Sequence, residues 1–304
     1  IYRSPISHGQ IIEVDISEAQ ALPGVKAVIT GDETDEAFGV LPIARFEYPL
    51  ARDKVRYKGE PVACVAAIDT QTAQKAIELI KFKYKKLPAY FTSQEAMAEG
   101  SINLHDHREG NIERDVDFDL GETDEGLAAA DLIMEETYNC AEVAQVQSEP
   151  HAAIAEYDAI RDFMTVRAST QVPYYGHKML AKTLKMEESK VRMIKPFVGG
   201  GFGCRTECLN VELICALVAR VAKGTVRIVT SREETFITHR GRPETDVEIK
   251  IGVKKNGVIT AVDVKDIKRG GAYSCSLFPS NDCQGLPWTS HWSHATTYTP
   301  TTTN

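Results

Sequence analysis

The stretch "KPFVGGGFGCRTE", residues 195–207, decides how this 304-residue chain is read. Before it, "KVRMIKPFV" (190–198) reads as a strand running straight into the glycines. After it, "ECLNVELICALVARVAKG" (207–224) carries apolar residues at helical spacing and predicts a strongly amphipathic helix with Gly224 as its C-cap. Strand, glycine loop and helix form a context in which backbone N–H groups bind anions. Spacing then narrows the chemistry. The loop lacks the GxxxxGK[ST] pattern of a triphosphate-binding loop. A dinucleotide fingerprint would need glycine where Cys204 stands, and would open a βαβ domain instead of following almost two hundred residues. Ser231-Arg232 at the end of the next strand keeps an NADP site as an alternative. Gly199, Gly200, Gly201 and Gly203 around Phe202 fit better a backbone that must approach a flat, bulky group, because glycine has no Cβ and accepts positive φ. Phe202 would then supply an apolar wall. A turn needed only for packing is the plainer alternative.

Upstream, the first hundred residues alternate strands and helices. "GQIIEVDIS" and "VKAVITG" bracket a short helix at "SEAQAL", and "EPVACVAAI" reads as a strand covered on both faces. Asp69 or Thr70 caps the helix "QTAQKAIELI", and "KFKYKKL" alternates as a half-exposed strand does. Residues 101–124 are polar and aperiodic and predict a surface linker, in which His105 and His107 are expected to be exposed. Beyond it, "EGLAAADLIM" predicts a helix, and "EETYNCAEVA", "AAIAEYD" and "FMTVRAS" predict strands. "YGHKMLAKTLKM" predicts a helix burying Met179, Leu180 and Leu184. "TVRIVTS", "TDVEIKIGV" and "ITAVDVKDIKRGGAYS" predict further strands, with Asn256-Gly257 as a hairpin turn.

Composition sets broad limits. A net charge of -8 does not favour nucleic acid or an anionic membrane as partner, and no apolar run is long enough to span a bilayer, so a cytoplasmic protein is expected. Seven cysteines are scattered without a CxxC pair, which argues against a zinc ribbon or a cysteine-ligated cluster. Cys204, Cys208 and Cys215 on one helix face would permit a soft-metal site, and buried structural thiols are the better reading. From Ser274 the chain changes character: it holds both tryptophans, a dense Thr/Ser/Pro run and one charged side chain, Asp282. A disordered tail or a shifted reading frame is expected there.

The glycine segment resembles the GGGFG segment of the large subunits of the xanthine dehydrogenase and aldehyde oxidase family. Other matches lie in family order. "SPISHGQIIEVDISEAQALPGVKAVITGDE" (4–33) and "PLARDKVRYKGEPVACVAA" (49–67) resemble its α/β-hammerhead domain. "STQVP" (169–173) resembles its Thr-Gln step, and "TSREETFITHRGRP" (230–243) its Arg-Glu-Glu segment; "GVKKNGVITAVD" and "GGAY" follow. Within the family, "RFEYPLARDKVRYKGEP", "LPAYFT" and "QVPYYGHK" look most like the hydroxybenzoyl-CoA reductase branch.

The resemblance implies a mixed α/β (α+β) fold: a hammerhead domain over 1–105, a linker over 106–124, the first part of a molybdopterin-binding domain over 125–273, and an aberrant or disordered tail over 274–304. It implies a molybdenum–molybdopterin dinucleotide, in the cytosine form, with molybdenum held by the pterin dithiolene and not by a protein ligand. Gln171 would hydrogen-bond an oxygen ligand of the metal. Gly200, Gly201, Phe202 and Gly203 would form the adjacent wall. Glu149 would be supporting, and Thr206 stands where purine-oxidising members carry a substrate-touching glutamate. Partners would be an iron–sulfur small subunit and an FAD medium subunit, and the substrate an aromatic acyl-CoA. The family's general-base glutamate is expected outside these residues, so this chain is expected not to turn over substrate alone.

Overall fold

The structure is a computed structural model and describes residues 1–39, 46–274, 283–284 and 289–296. The chain forms two compact units that interleave along the sequence. One comprises Ile1–Ala89 and Ala144–Gly241; the other comprises Tyr90–Val143 and Arg242–Ser274 with later residues. The fold is the expected mixed α/β one.

In the first unit, two three-stranded antiparallel sheets come from the N-terminal residues. One has the order Tyr2–Arg3, Pro61–Ala67, Val25–Thr30, and the other Lys54–Val55, Gly9–Asp15, Lys81–Lys86. Asp69 caps the helix Thr70–Glu78 by accepting the Thr72 N–H at 2.7 Å. The strand Pro61–Ala67 shows why its sequence is continuously apolar. Ala63 and Val65 pack with Ala19, Val28, Ala76 and Ile80, while Cys64 and Ala66 join the main core. Successive side chains point to opposite faces, and both faces are covered.

The same unit contains a four-stranded sheet ordered Val191–Ile194, Phe163–Ala168, Ala152–Asp158, Thr225–Val229. Phe163–Ala168 runs antiparallel to Ala152–Asp158 and parallel to Val191–Ile194. The helix Pro173–Leu184 links the two parallel strands, and Met179, Leu180 and Leu184 are buried as expected. The helix Asn210–Ala222 leaves the glycine loop. It is not amphipathic in its surroundings: every residue from Val211 to Ala219 is buried. One side packs on Ala152–Asp158 and Thr225–Val229, the other on the N-terminal strands Pro61–Ala67 and Val25–Thr30. A helix covered on all sides needs an apolar circumference.

Its end also differs from expectation. The left-handed residue is Lys223 (φ 54), and Gly224 follows, donating its N–H to Ala219 O at 3.2 Å. Two consecutive helix-ending bonds fix the chain this way, and the residue that most needs to be glycine is a lysine. Lys223→Gly is therefore expected to raise stability by about 0.5–1 kcal/mol, read as a higher urea midpoint with unchanged m.

The second unit holds a five-stranded sheet ordered Ile112–Leu120, Thr289–Thr296, Ile259–Arg269, Thr245–Val253, Leu132–Cys140. The expected hairpin is present: Gly257 adopts φ +85 and donates to Lys254 O at 2.8 Å. Three expectations change. The helix after residue 122 is only Thr123–Ala128, and Leu132–Met134 already belong to a strand. The stretch read as a linker supplies the strand Ile112–Leu120. It is preceded by buried Asn111, which bonds Ala96 O at 2.9 Å, Ile102 O at 3.1 Å and the Leu104 N–H at 2.7 Å. His105 is buried, not exposed, with Nε2 2.7 Å from Ala272 O and its ring edge-on to Tyr273. Buried polar groups need such partners, and polar sequence alone does not reveal them. Within the segment read as a tail, Ser274, Cys283–Gln284 and Thr289–Thr296 take part in strands, and the rest lies outside the described residues.

Candidate functional site

The glycine loop, the Thr-Gln step and residues 146–150 come together in the first unit. The strand Phe163–Ala168 delivers Ser169, Thr170 and Gln171, and Val191–Ile194 beside it delivers the loop. Glu149 runs against the loop from its other flank: its N–H donates to Gly199 O at 3.2 Å, and its Oε2 accepts the Gly199 N–H at 2.7 Å.

Gln171 is held at both ends. Its backbone N–H donates to Arg205 O at 2.8 Å. Its side-chain Oε1 accepts two backbone N–H groups, from Gly203 at 3.1 Å and Arg205 at 3.3 Å. Two donors aimed at one atom require that atom to be the amide oxygen, so the NH2 end is the one left facing outward. The loop adds further donors. Among the described residues, the backbone N–H groups of Gly200, Gly201 and Phe202 have no protein acceptor.

The glycines are required for different reasons. A Cβ on Gly201 would lie 2.5 Å from Gln171 Oε1 and 2.7 Å from its Cδ, so the close seat of Gln171 depends on glycine here. Gly203 has φ +98 and nothing within 4 Å of where a Cβ would point. That direction is open space beside the donors.

Backbone conformation marks the same place. Among the described residues, the non-glycine residues with positive φ are Asn111, Val146, Asp162, Lys185, Phe202 and Lys223. Asn and Asp tolerate that region, and the two lysines end helices. Val146 and Phe202 have neither excuse, and both side chains are exposed, at 57% and 76%. Gln147 Cβ and Phe202 Cε2 both lie about 3 Å from the position a Gly200 Cβ would take, at 3.1 and 3.2 Å. Strained residues therefore flank one site from both sides. Val146→Gly removes one such strain with little lost burial, and is expected to stabilise the fold by roughly 0.5–1 kcal/mol, again by urea midpoint.

Beneath the loop lies a charged layer. Arg205 is almost fully buried, donating to Glu149 Oε2 at 2.8 Å, Glu149 O at 2.6 Å and Pro150 O at 3.2 Å. Burial works against the Glu149 charge, but donors from Ser169, Gly199 and Arg205 outweigh it and hold the carboxyl below its usual value. His151 is buried beside Gln147 Nε2 at 3.4 Å; burial, with Arg205 and Arg240 nearby, lowers its pKa to about 4. Glu212 is buried and pushed up to about 8, chiefly by burial. Its Oε2 accepts the Leu209 N–H at 2.6 Å. Residue pattern does not disclose this layer, because His151 and Glu212 read as ordinary polar positions until burial is known.

Other expected features take different places. Glu207 pairs with Arg240 at 2.9 Å, and Arg240 also pairs with Glu47 at 2.7 Å. Thr206 is occupied within the turn, its hydroxyl donating to Gly203 O at 2.8 Å. Ser231 caps a short helix through the Glu234 N–H, and Arg232 donates to Gln147 O and Ser148 O. Those bonds employ the side chains that an NADP phosphate would need. Cys204 and Cys208 precede the helix that carries Cys215, so the three do not share a helix face. All three are buried with burial-raised thiol pKa, and no metal-holding cluster occurs among the described residues. No helix among them is long and apolar enough to cross a membrane.

Residues 104–282 match the molybdopterin cofactor-binding domain, and residues 1–88 the a/b hammerhead domain of aldehyde oxidase and xanthine dehydrogenase. The nicotinate dehydrogenase large molybdopterin subunit of Eubacterium barkeri is 33% identical over 276 residues, covering 90% of this chain and 64% of that protein. The nicotine 6-hydroxylase large subunit of Paenarthrobacter nicotinovorans is 28% identical over 279 residues, covering 89% and 34%. Quinoline 2-oxidoreductase from Pseudomonas putida 86 superposes with a TM-score of 0.80 at 26% identity, over 97% of this chain and 40% of that one. The chain thus spans between about a third and two-thirds of the length of these relatives. It belongs to the xanthine dehydrogenase and aldehyde oxidase family of molybdenum-binding large subunits.

Proposed function

We propose that Gln171, Gly200, Gly201, Phe202 and Gly203 form the wall of a molybdenum–molybdopterin site in a molybdenum-dependent oxidoreductase. The observation that carries this reading is the Gln171 amide, whose oxygen is used by the loop and whose NH2 is thereby turned outward. A neutral donor beside the unbonded N–H groups of Gly200, Gly201 and Phe202 suits a polar, oxygen-bearing group. The open direction at Gly203 leaves room for it. When bound, the cofactor supplies a two-electron exchange coupled to transfer of oxygen between water and a substrate carbon. This chain's residues orient it: Gln171 and the loop N–H groups donate, and the exposed Phe202 ring limits water on one side. We assign no acid–base residue on this chain. The dinucleotide is taken to be the cytosine form, and iron–sulfur and FAD subunits are taken to carry the electrons.

For the substrate, we favour a flat aromatic ring. Relatives named for nicotinate and quinoline support hydroxylation, R–H + H2O → R–OH + 2e− + 2H+. The segments at 45–61, 87–92 and 171–178 support the reverse, reductive removal of the phenolic hydroxyl of 4-hydroxybenzoyl-CoA to give benzoyl-CoA and water. One experiment separates them. The assembled complex is given nicotinate or quinoline with an electron acceptor in 18O-water, or 4-hydroxybenzoyl-CoA with reduced viologen. Labelled hydroxylated product supports the first direction, benzoyl-CoA the second. Neither product, from a complex that contains molybdenum, contradicts the aromatic reading.

A further inference from the structure

We propose that Arg205 is the positioning residue of the cofactor site, setting the direction of the Gln171 amide and the seat of the glycine loop through its pairing with Glu149. This rests on the molybdenum-cofactor reading above. Arg205 is bonded to both flanks of the loop. Its peptide N–H donates to Gln171 Oε1 at 3.3 Å, and its carbonyl accepts the Gln171 N–H at 2.8 Å and the Thr170 hydroxyl at 3.4 Å. Its guanidinium reaches the opposite flank, donating to the Glu149 carboxylate, Glu149 O and Pro150 O. Glu149 in turn holds Gly199 through both backbone groups and is steadied by Ser169 Oγ at 2.7 Å.

The chain thus closes a loop of contacts: Gln171, Arg205, Glu149, Gly199, and along the glycines back to Gly203 and Gln171. Displacing Arg205 shifts both ends of Gln171 together. The planar fork is what allows one side chain to serve two carbonyls and a carboxylate at once. Arg205 Nε is buried and finds no acceptor. An unmatched buried donor opposes stability, so the residue's placement is better explained by what it aligns than by what it stabilises.

The test compares Arg205→Lys and Glu149→Gln with Leu184→Ala, a core truncation in the same unit, in the assembled protein purified from cofactor-replete cells. Molybdenum per chain, the molybdenum(V) EPR signal and Tm are measured for each. The expected result is at least a fivefold loss of molybdenum in both site variants, with shifted g values in what remains. Leu184→Ala is expected to keep wild-type metal content despite a larger fall in Tm. Wild-type metal content and signal in Arg205→Lys and Glu149→Gln would overturn the proposal, as would equal metal loss in Leu184→Ala. A wild-type protein without molybdenum would overturn the cofactor reading and this inference with it.

Discussion

Gly201→Ala is expected to lower kcat/KM of the loaded enzyme on the order of 10²-fold while lowering stability by only about 1 kcal/mol. The new Cβ would sit 2.5 Å from Gln171 Oε1 and 2.7 Å from its Cδ, closer than Cβ atoms approach in real structures. Something must move. The backbone at Gly201 has no positive φ to forbid alanine, and the clashing atoms belong to the far end of an exposed, flexible side chain. Gln171 therefore swings away. The Gly203 and Arg205 N–H groups lose one acceptor, and the outward NH2 loses its aim. A preorganised donor is worth far more to a reacting group than to the fold, which is why the two readouts separate. Steady-state kinetics and urea unfolding on the same preparation check this; a stability loss of several kcal/mol with intact kcat/KM would contradict it.

The second large effect is in pH. Glu212 has a folded pKa of about 8 against an ordinary 4.5, so the folded protein holds a proton that the unfolded chain releases first. Stability therefore falls as pH rises between 4.5 and 8, by about 1.4 kcal/mol per unit. His151 does the opposite. Its folded pKa of about 4 lies below the ordinary 6.5, so the unfolded chain takes up the proton first and stability falls as pH drops from 6.5 to 4. The two slopes cancel between 4.5 and 6.5. Of these two groups, Glu212 alone titrates from 6.5 to 8, and a loss of about 2 kcal/mol is expected there. Glu212→Gln keeps an oxygen for the Leu209 N–H and removes the titration, so its urea midpoint is expected to stay level across that interval. It should also expose the His151 slope below 6.5. A wild-type midpoint that does not fall from pH 6.5 to 8 would contradict the buried, protonated state of Glu212.

These residues show what the sequence discloses. Strands such as Pro61–Ala67 and the helix Pro173–Leu184 are legible because burial imposes a period or a continuous apolar run. The GGGFG loop and Gln171 are legible through family order, and the structure brings them within hydrogen-bond reach of each other. The helix Asn210–Ala222 reads as amphipathic because its second cover comes from strands more than a hundred residues earlier. His105 and Asn111 escape because polar side chains that satisfy buried carbonyls look like solvated ones in a list of letters. The strand Ile112–Leu120 escapes for a related reason: nothing in residues 106–124 announces that it completes a sheet with residues far along the chain. Arg205 escapes too, because a letter after the glycines gives no sign that its side chain and backbone reach two flanks of the site.

If the Gln171–glycine-loop wall faces molybdenum, anomalous difference density collected at the molybdenum edge from crystals of the assembled complex shows a single molybdenum peak beside the Gln171 amide and the Gly200–Gly203 segment. A peak elsewhere in the complex, or a protein that carries no molybdenum, would contradict it.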